Sequence, residues 1–141
     1  MRVLLDPSIL VCYLLRPRNP IRSIVHAALV GAYTPVISEL LLDELAATIA
    51  DKETMGTRFS AEQSADFIGD LKVVATRFPN LSIEIRSVTR DFYTDYMIAC
   101  ALEAEAEIVV SGDRDLLLLG REGNLSFVNP AGFLRFLSSN P

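Results

Sequence analysis

Short, wholly apolar runs that stop abruptly at a polar residue constrain this chain more than any other feature. Val3-Leu4-Leu5 stops at Asp6, Pro35-Val36-Ile37 at Ser38, and Ile108-Val109-Val110 at Ser111-Gly112-Asp113. Runs with no polar alternation fit strands buried on both faces, the signature of a parallel sheet covered by helices. The stretches between them carry helical spacing. Ile21, Ile24, Val25, Ala28 and Leu29 share one face before Gly31, and Met97, Ile98, Ala101 and Leu102 share another. Strand–helix alternation of this kind predicts an α/β fold in three layers, α/β/α, around a central parallel sheet of about five strands.

The expected strands are Arg2 to Leu5, Thr34 to Ile37, a weaker Leu81 to Ile85, Glu107 to Val110, and Leu125 to Val128. A short helix follows the first strand to about Leu15, and Ser38 is a good N-cap for a helix to about Ala50. Residues 51–59 are polar, include Gly56, and read as a flexible loop. Ser60-Ala61-Glu62-Gln63 forms a capping box opening a helix to about Phe78, which Pro79 stops. Further helices are expected from about Thr94 to Ala104, from Asp115 to Leu119, and from Asn129-Pro130 through Leu137. There is no internal repeat, and 141 residues, half of them apolar, make one domain over residues 1–141 with a real core.

Cys12 and Cys100 lie in apolar helical contexts and read as buried free thiols, consistent with a reduced, cytoplasmic protein. The Met1 end shows no basic leader before an apolar segment, and no run approaches a membrane span.

Chemistry is expected where the apolar runs end. In an open α/β sheet ligands bind beyond the carboxyl ends of the strands, so acids delivered there from distant parts of the chain can converge. Asp6 ends the first strand, Glu44 lies on the helix after the second, Asp95 opens the fifth helix, and Asp113 and Asp115 follow the fourth strand. Converging carboxylates repel one another unless a positive charge lies between them. A hard divalent cation, Mg²⁺ or Mn²⁺, prefers oxygen ligands and would make this a phosphoryl-transfer or phosphodiester-hydrolysis site. Singly, Asp95 could merely complement a helix dipole, and Glu44 could be one solvated position.

A net charge of −5 argues against a general polyanion binder. Eleven of the thirteen basic residues are Arg, however, with Arg16, Arg18 and Arg22 crowded after the first helix and Arg90 and Arg114 beside the acids. Arg forks onto phosphate, so a basic rim around an acidic centre would still bind a phosphodiester. A solvated loop with no specific partner is the competing reading.

These residues carry a family resemblance that covers nearly the whole chain. The segment from Leu4 to Val11 resembles the L-D-T-N-V-L-V opening of PIN-domain ribonucleases, and that from Ser38 to Leu45 their S-x-x-L-L-x-E-L helix. Asp91 to Ala101 is similar to the D-x-x-D-D-x-x-x-A-x-A element, Ile108 to Leu116 to I-V-T-G-D-x-D-L, and Phe127 to Leu134 to the closing strand and P-x-x-F-L helix. The chain most resembles the toxin branch (VapC-like) of bacterial and archaeal toxin–antitoxin pairs.

The resemblance implies that Asp6, Glu44, Asp95 and Asp113 are catalytic and bind one or two Mg²⁺ or Mn²⁺ ions, which activate water to cleave single-stranded RNA. Asp115 would be a further metal ligand or a nearby supporting acid. Ser8, Ser111 and Asp91 would support the centre, and Arg16, Arg18, Arg90 and Arg114 would contact RNA. A cognate antitoxin and a homodimer are family expectations. Two positions depart from the pattern: the usual Thr-Asn after the first acid is Pro7-Ser8, and Thr94 stands where many members have a further acid before Asp95.

Besides a metal-dependent endoribonuclease, two readings use the same acids. One is a PIN-like module of weak or absent activity that holds RNA or a partner protein without turnover. The other is a phosphoacceptor receiver domain, disfavoured because the only lysines, Lys52 and Lys72, do not follow a last strand. His26, the only histidine, is expected to be structural or exposed.

Overall fold

The computed structural model describes residues 1–51, 61–78 and 91–139. Its strands are β1 (Arg2–Leu5), β2 (Thr34–Ser38), β3 (Thr76–Phe78), β4 (Ile108–Val110), β5 (Arg121–Glu122) and β6 (Leu125–Val128). The helices are α1 (Pro7–Leu15), α2 (Ile21–Leu29), α3 (Glu39–Ala50), α4 (Ala61–Val74), α5 (Phe92–Glu103), α6 (Arg114–Leu119) and α7 (Pro130–Ser139). Among the described residues one six-stranded sheet has the order β3-β2-β1-β4-β6-β5, parallel throughout except for the final β6–β5 pair.

The apolar runs do fill the centre of that sheet. Val3, Leu4, Val109 and Val110 are no more than marginally exposed, with Val36 and Ile37 close behind, as expected of strands covered on both faces. Leu10, Ile24, Leu41, Leu45, Met97, Ile98 and Phe133 close over them from the helices. The Phe133 ring meets Tyr33 edge-on at 5.1 Å between centroids, tying α7 to the segment after α2.

Four expectations change. The helix expected to reach Phe78 ends at Val74, and Thr76–Phe78 pairs in parallel with Val36–Ser38. Beta-branched and aromatic residues in this stretch favour an extended strand, and an open sheet edge offers them partners. The short β5 was not expected at all. Glu122 pairs with Leu125 across a two-residue Gly123-Asn124 turn, and Gly120 and Gly123 take positive φ values of 71° and 62° at its borders. Cys12 is exposed, because it faces away from the sheet, whereas Cys100 is fully buried. Leu102 is 42% exposed, since the buried part of α5 runs continuously from Thr94 to Ala101 rather than along one stripe. The expected loop at 52–59, Ser60 of the capping box, the expected strand Leu81 to Ile85 and Arg90 lie outside the described residues.

Sheet order positions the chemistry. The connection from β1 leads to β2 on one side, and β4 enters on the other side of β1, so the chain reverses its direction of spread between β1 and β4. Such a switch point leaves a crevice at the carboxyl ends of the two strands. In register, Leu5 lies opposite Val110, which sets Asp6 beside Ser111.

Candidate metal centre

Two of the expected acids are built into this crevice by helix starts. Asp6 follows β1 and N-caps α1: its Oδ1 accepts the Ser8 amide at 3.0 Å, and Pro7 occupies the first helical position, where a missing N–H costs nothing. Asp113 N-caps α6 in the same manner, its Oδ1 accepting the Asp115 amide at 2.8 Å. Their own amides are tied in as well, Asp6 N–H donating to the Val110 carbonyl.

Ser111 joins the two. Its buried hydroxyl donates to Asp6 Oδ2 at 2.8 Å and accepts the Asp113 amide at 3.0 Å. Thr94, buried at the start of α5, places its hydroxyl 3.5 Å from Asp113 Oδ2, a long and weak contact. Asp6, Ser111, Asp113 and Thr94 thus form one connected chain across β1, β4 and α5. Asp95 is adjacent, buried to 5% exposure, with its amide donating to the Asp91 carbonyl at 3.0 Å.

Glu44 stands on α3, whose first turn is capped by Ser38 Oγ accepting the Leu41 amide at 3.1 Å. It is half-buried, and its electrostatic neighbour is the Tyr96 phenol of α5. Burial holds that phenol above its ordinary range; Ser38 pulls it back, while Cys100 and the Glu44 carboxylate push it higher. Asp115 is half-buried and meets Asp113 through its backbone, and Asp91 is exposed. Ser8 contributes its amide to Asp6, while its side chain faces outward. Arg16, Arg18 and Arg114 are all exposed. His26 is exposed too and meets the Tyr13 hydroxyl at 3.2 Å.

The donors suit a hard cation in kind. Each ionised carboxylate offers about four lone-pair sites, and capping plus one further contact occupy two of them on Asp6 and on Asp113. Among the described residues no three His, Cys, Asp or Glu side chains stand together closely enough to form a ready cage. Mg²⁺ does not require one, because it keeps much of its water and is commonly held by one or two carboxylates with substrate phosphate.

Two participants were not singled out as such from sequence. Thr94 was noticed only as a missing acid, yet its hydroxyl faces Asp113. Tyr96 reads as a core residue on α5, and no sequence signal marks its hydroxyl.

An α/β sheet with capped acids at its switch point defines a class of strand-end site proteins, and comparison with known families narrows it. A PIN-domain family model matches residues 2–115, and the chain belongs to the PIN-domain family, a family of nuclease domains that generally depend on divalent metal ions. A comparison with curated proteins gave no match. Among the described residues no helix is long and apolar enough to cross a membrane.

Proposed function

We propose that this protein is an endoribonuclease that cleaves single-stranded RNA with Mg²⁺ or Mn²⁺, and that it acts as the toxin of a toxin–antitoxin pair. The observation that carries the reading is the Asp6–Ser111–Asp113 linkage at the β1–β4 crossover, inside the segment that matches the PIN domain. Asp6 and Asp113 would hold the cation, with Glu44, Asp95 and Asp115 completing its surroundings directly or through water. A bound divalent ion supplies an activated water, offsets the phosphate charge and steadies the leaving oxygen.

The chain's own side chains do the rest. Ser111 fixes the direction of the Asp6 carboxylate, and helix capping fixes that of Asp113. The positive ends of α1 and α6 soften the repulsion between the two acids. Arg114, exposed next to Asp113 in the chain, would fork onto a phosphate at the centre, and Arg16, Arg18 and Arg90 are proposed as further RNA contacts. A cognate antitoxin and a second copy of the chain are the partners proposed with this role.

One observation favours the alternative of a module that binds RNA without turnover: among the described residues no three acids stand as a ready cage. One assay separates the two. Chelator-treated protein is mixed with labelled single-stranded RNA, with and without added Mn²⁺. Cleavage that appears with Mn²⁺, vanishes with excess chelator, and falls on the order of a hundredfold in Asp6→Asn and in Asp113→Asn is expected. Undiminished cleavage in chelator removes the metal, and binding without cleavage under every condition selects the module.

A further inference from the structure

Among the described residues the Tyr96 hydroxyl is the one buried side-chain polar atom that has no hydrogen-bond partner. Leaving such a group unpaired costs about 1–3 kcal/mol, and Phe would pack the same volume without that cost. A hydroxyl retained under these terms calls for an acceptor that is absent from the observed arrangement.

Its surroundings narrow the choice of acceptor. Tyr96 lies on α5 at 7% exposure, and α5 packs on β2 and β4. Its neighbours there are Ser38, Cys100 and, by electrostatic influence, Glu44. Ser38 Oγ is fully buried, held in place by accepting the Leu41 amide, and forms no hydrogen bond with the Tyr96 hydroxyl from that position. Cys100 is one helical turn along α5, and its sulfur is a weak acceptor. Glu44 differs from both. Its side chain is long, only half-buried, and its carboxylate accepts no hydrogen bond among the described residues. An orphaned donor on α5 and an acceptor on α3 that bears on it electrostatically are therefore the two groups left to pair.

We propose that Tyr96 is a positioning residue whose hydroxyl donates to the Glu44 carboxylate when that carboxylate turns inward toward the centre formed by Asp6 and Asp113. The pairing rests on the metal reading of that centre. It stabilises the inward rotamer of Glu44 by pairing two groups that are otherwise unsatisfied, so Glu44 is pre-aimed without being spent on capping. Thr94, Asp95 and Tyr96 then form a continuous stretch near the start of α5, in which Thr94 steers Asp113, Asp95 supplies charge, and Tyr96 steers Glu44.

Mn²⁺ titration of the chelator-stripped full chain, read as free Mn²⁺ by electron paramagnetic resonance, tests this in wild type, Tyr96→Phe, Glu44→Gln and the double variant. Loss of a group that orients a ligand typically weakens metal binding 10–100-fold, so Tyr96→Phe is expected to bind Mn²⁺ about tenfold more weakly. Glu44→Gln should abolish the effect, leaving the double variant no weaker than Glu44→Gln alone. The metal-free melting temperature of Tyr96→Phe should equal or exceed that of wild type, because an unpaired hydroxyl has been removed.

Equal Mn²⁺ affinity in wild type and Tyr96→Phe overturns the pairing, as does the same loss in the Glu44→Gln background. A clearly lowered metal-free melting temperature overturns it too, since the hydroxyl would then already be bonded. A wild type that takes up no Mn²⁺ overturns the metal reading itself.

Discussion

Ser111 and Ser8 both touch Asp6, yet they do so through different atoms, and the difference is measurable. Ser8 gives its backbone amide, which any residue but proline would supply, and its side chain is exposed. Ser111 gives a fully buried hydroxyl that serves Asp6 and the Asp113 amide at once. Ser8→Ala should change stability by no more than about 0.5 kcal/mol and leave cleavage within a few-fold. Ser111→Ala removes a hydrogen bond to a charged group and orphans an amide, a loss of about 1.5–3 kcal/mol in urea unfolding, accompanied by a marked fall in cleavage rate. Equal behaviour of the two variants would remove Ser111 from the centre. Asp6, Ser111 and Asp113 were legible in sequence because they stand where buried strands end. Tyr96 was not, because a tyrosine among apolar residues looks the same whether its hydroxyl is paired or orphaned.

At the scale of elements, the strands that carry the site were readable and the sheet edges were not. β1, β2 and β4 are central, so burial on both faces strips them of polar residues and marks them plainly. Among the described strands β3 and β5 are edges, of three and two residues, and pairing with a neighbour defines them more than composition does. A signal for β5 did exist, in the Gly123-Asn124 pair that closes its hairpin. Two glycines test how far backbone conformation governs these elements. Gly120 ends α6 at φ +71°, a conformation that costs an L-residue roughly 1–2 kcal/mol, although a Cβ there would meet nothing within 4 Å. Gly69 sits within α4, where a Cβ likewise meets nothing within 4 Å. Gly120→Ala should therefore destabilise by roughly 1–2 kcal/mol, and Gly69→Ala should stabilise by roughly 0.5–1 kcal/mol. Opposite shifts in the urea midpoint at constant slope would bear this out; shifts of the same sign would contradict the backbone assigned to one of the two helices.

For the molecule as a whole, the open quantity is how many of the distant acids act on one cation. The family pattern joins Asp95 to Asp6 and Asp113, but sequence spacing could not place side chains within ångströms of each other; Asp95 enters on α5 beside Thr94, while Ser111 links Asp6 to Asp113. Thermodynamic linkage resolves this without an activity assay. A ligand present at a hundred times its dissociation constant stabilises a protein by about 2.7 kcal/mol, and in a domain of this length each kcal/mol moves the melting temperature by roughly 3–5 °C. Mn²⁺ should therefore raise the wild-type melting temperature on the order of 10 °C. Asp95→Asn retains the volume of the buried side chain while removing its charge, so the variant should fold and its own metal-free melting temperature serves as the reference. If Asp95 helps hold the cation, the Mn²⁺-induced rise at the same concentration should shrink to less than half that of wild type, and it should recover as Mn²⁺ is raised further, because only affinity has been lost. An equal rise in both proteins would leave Asp95 as an acid that complements the first turn of α5, with the cation resting on Asp6 and Asp113.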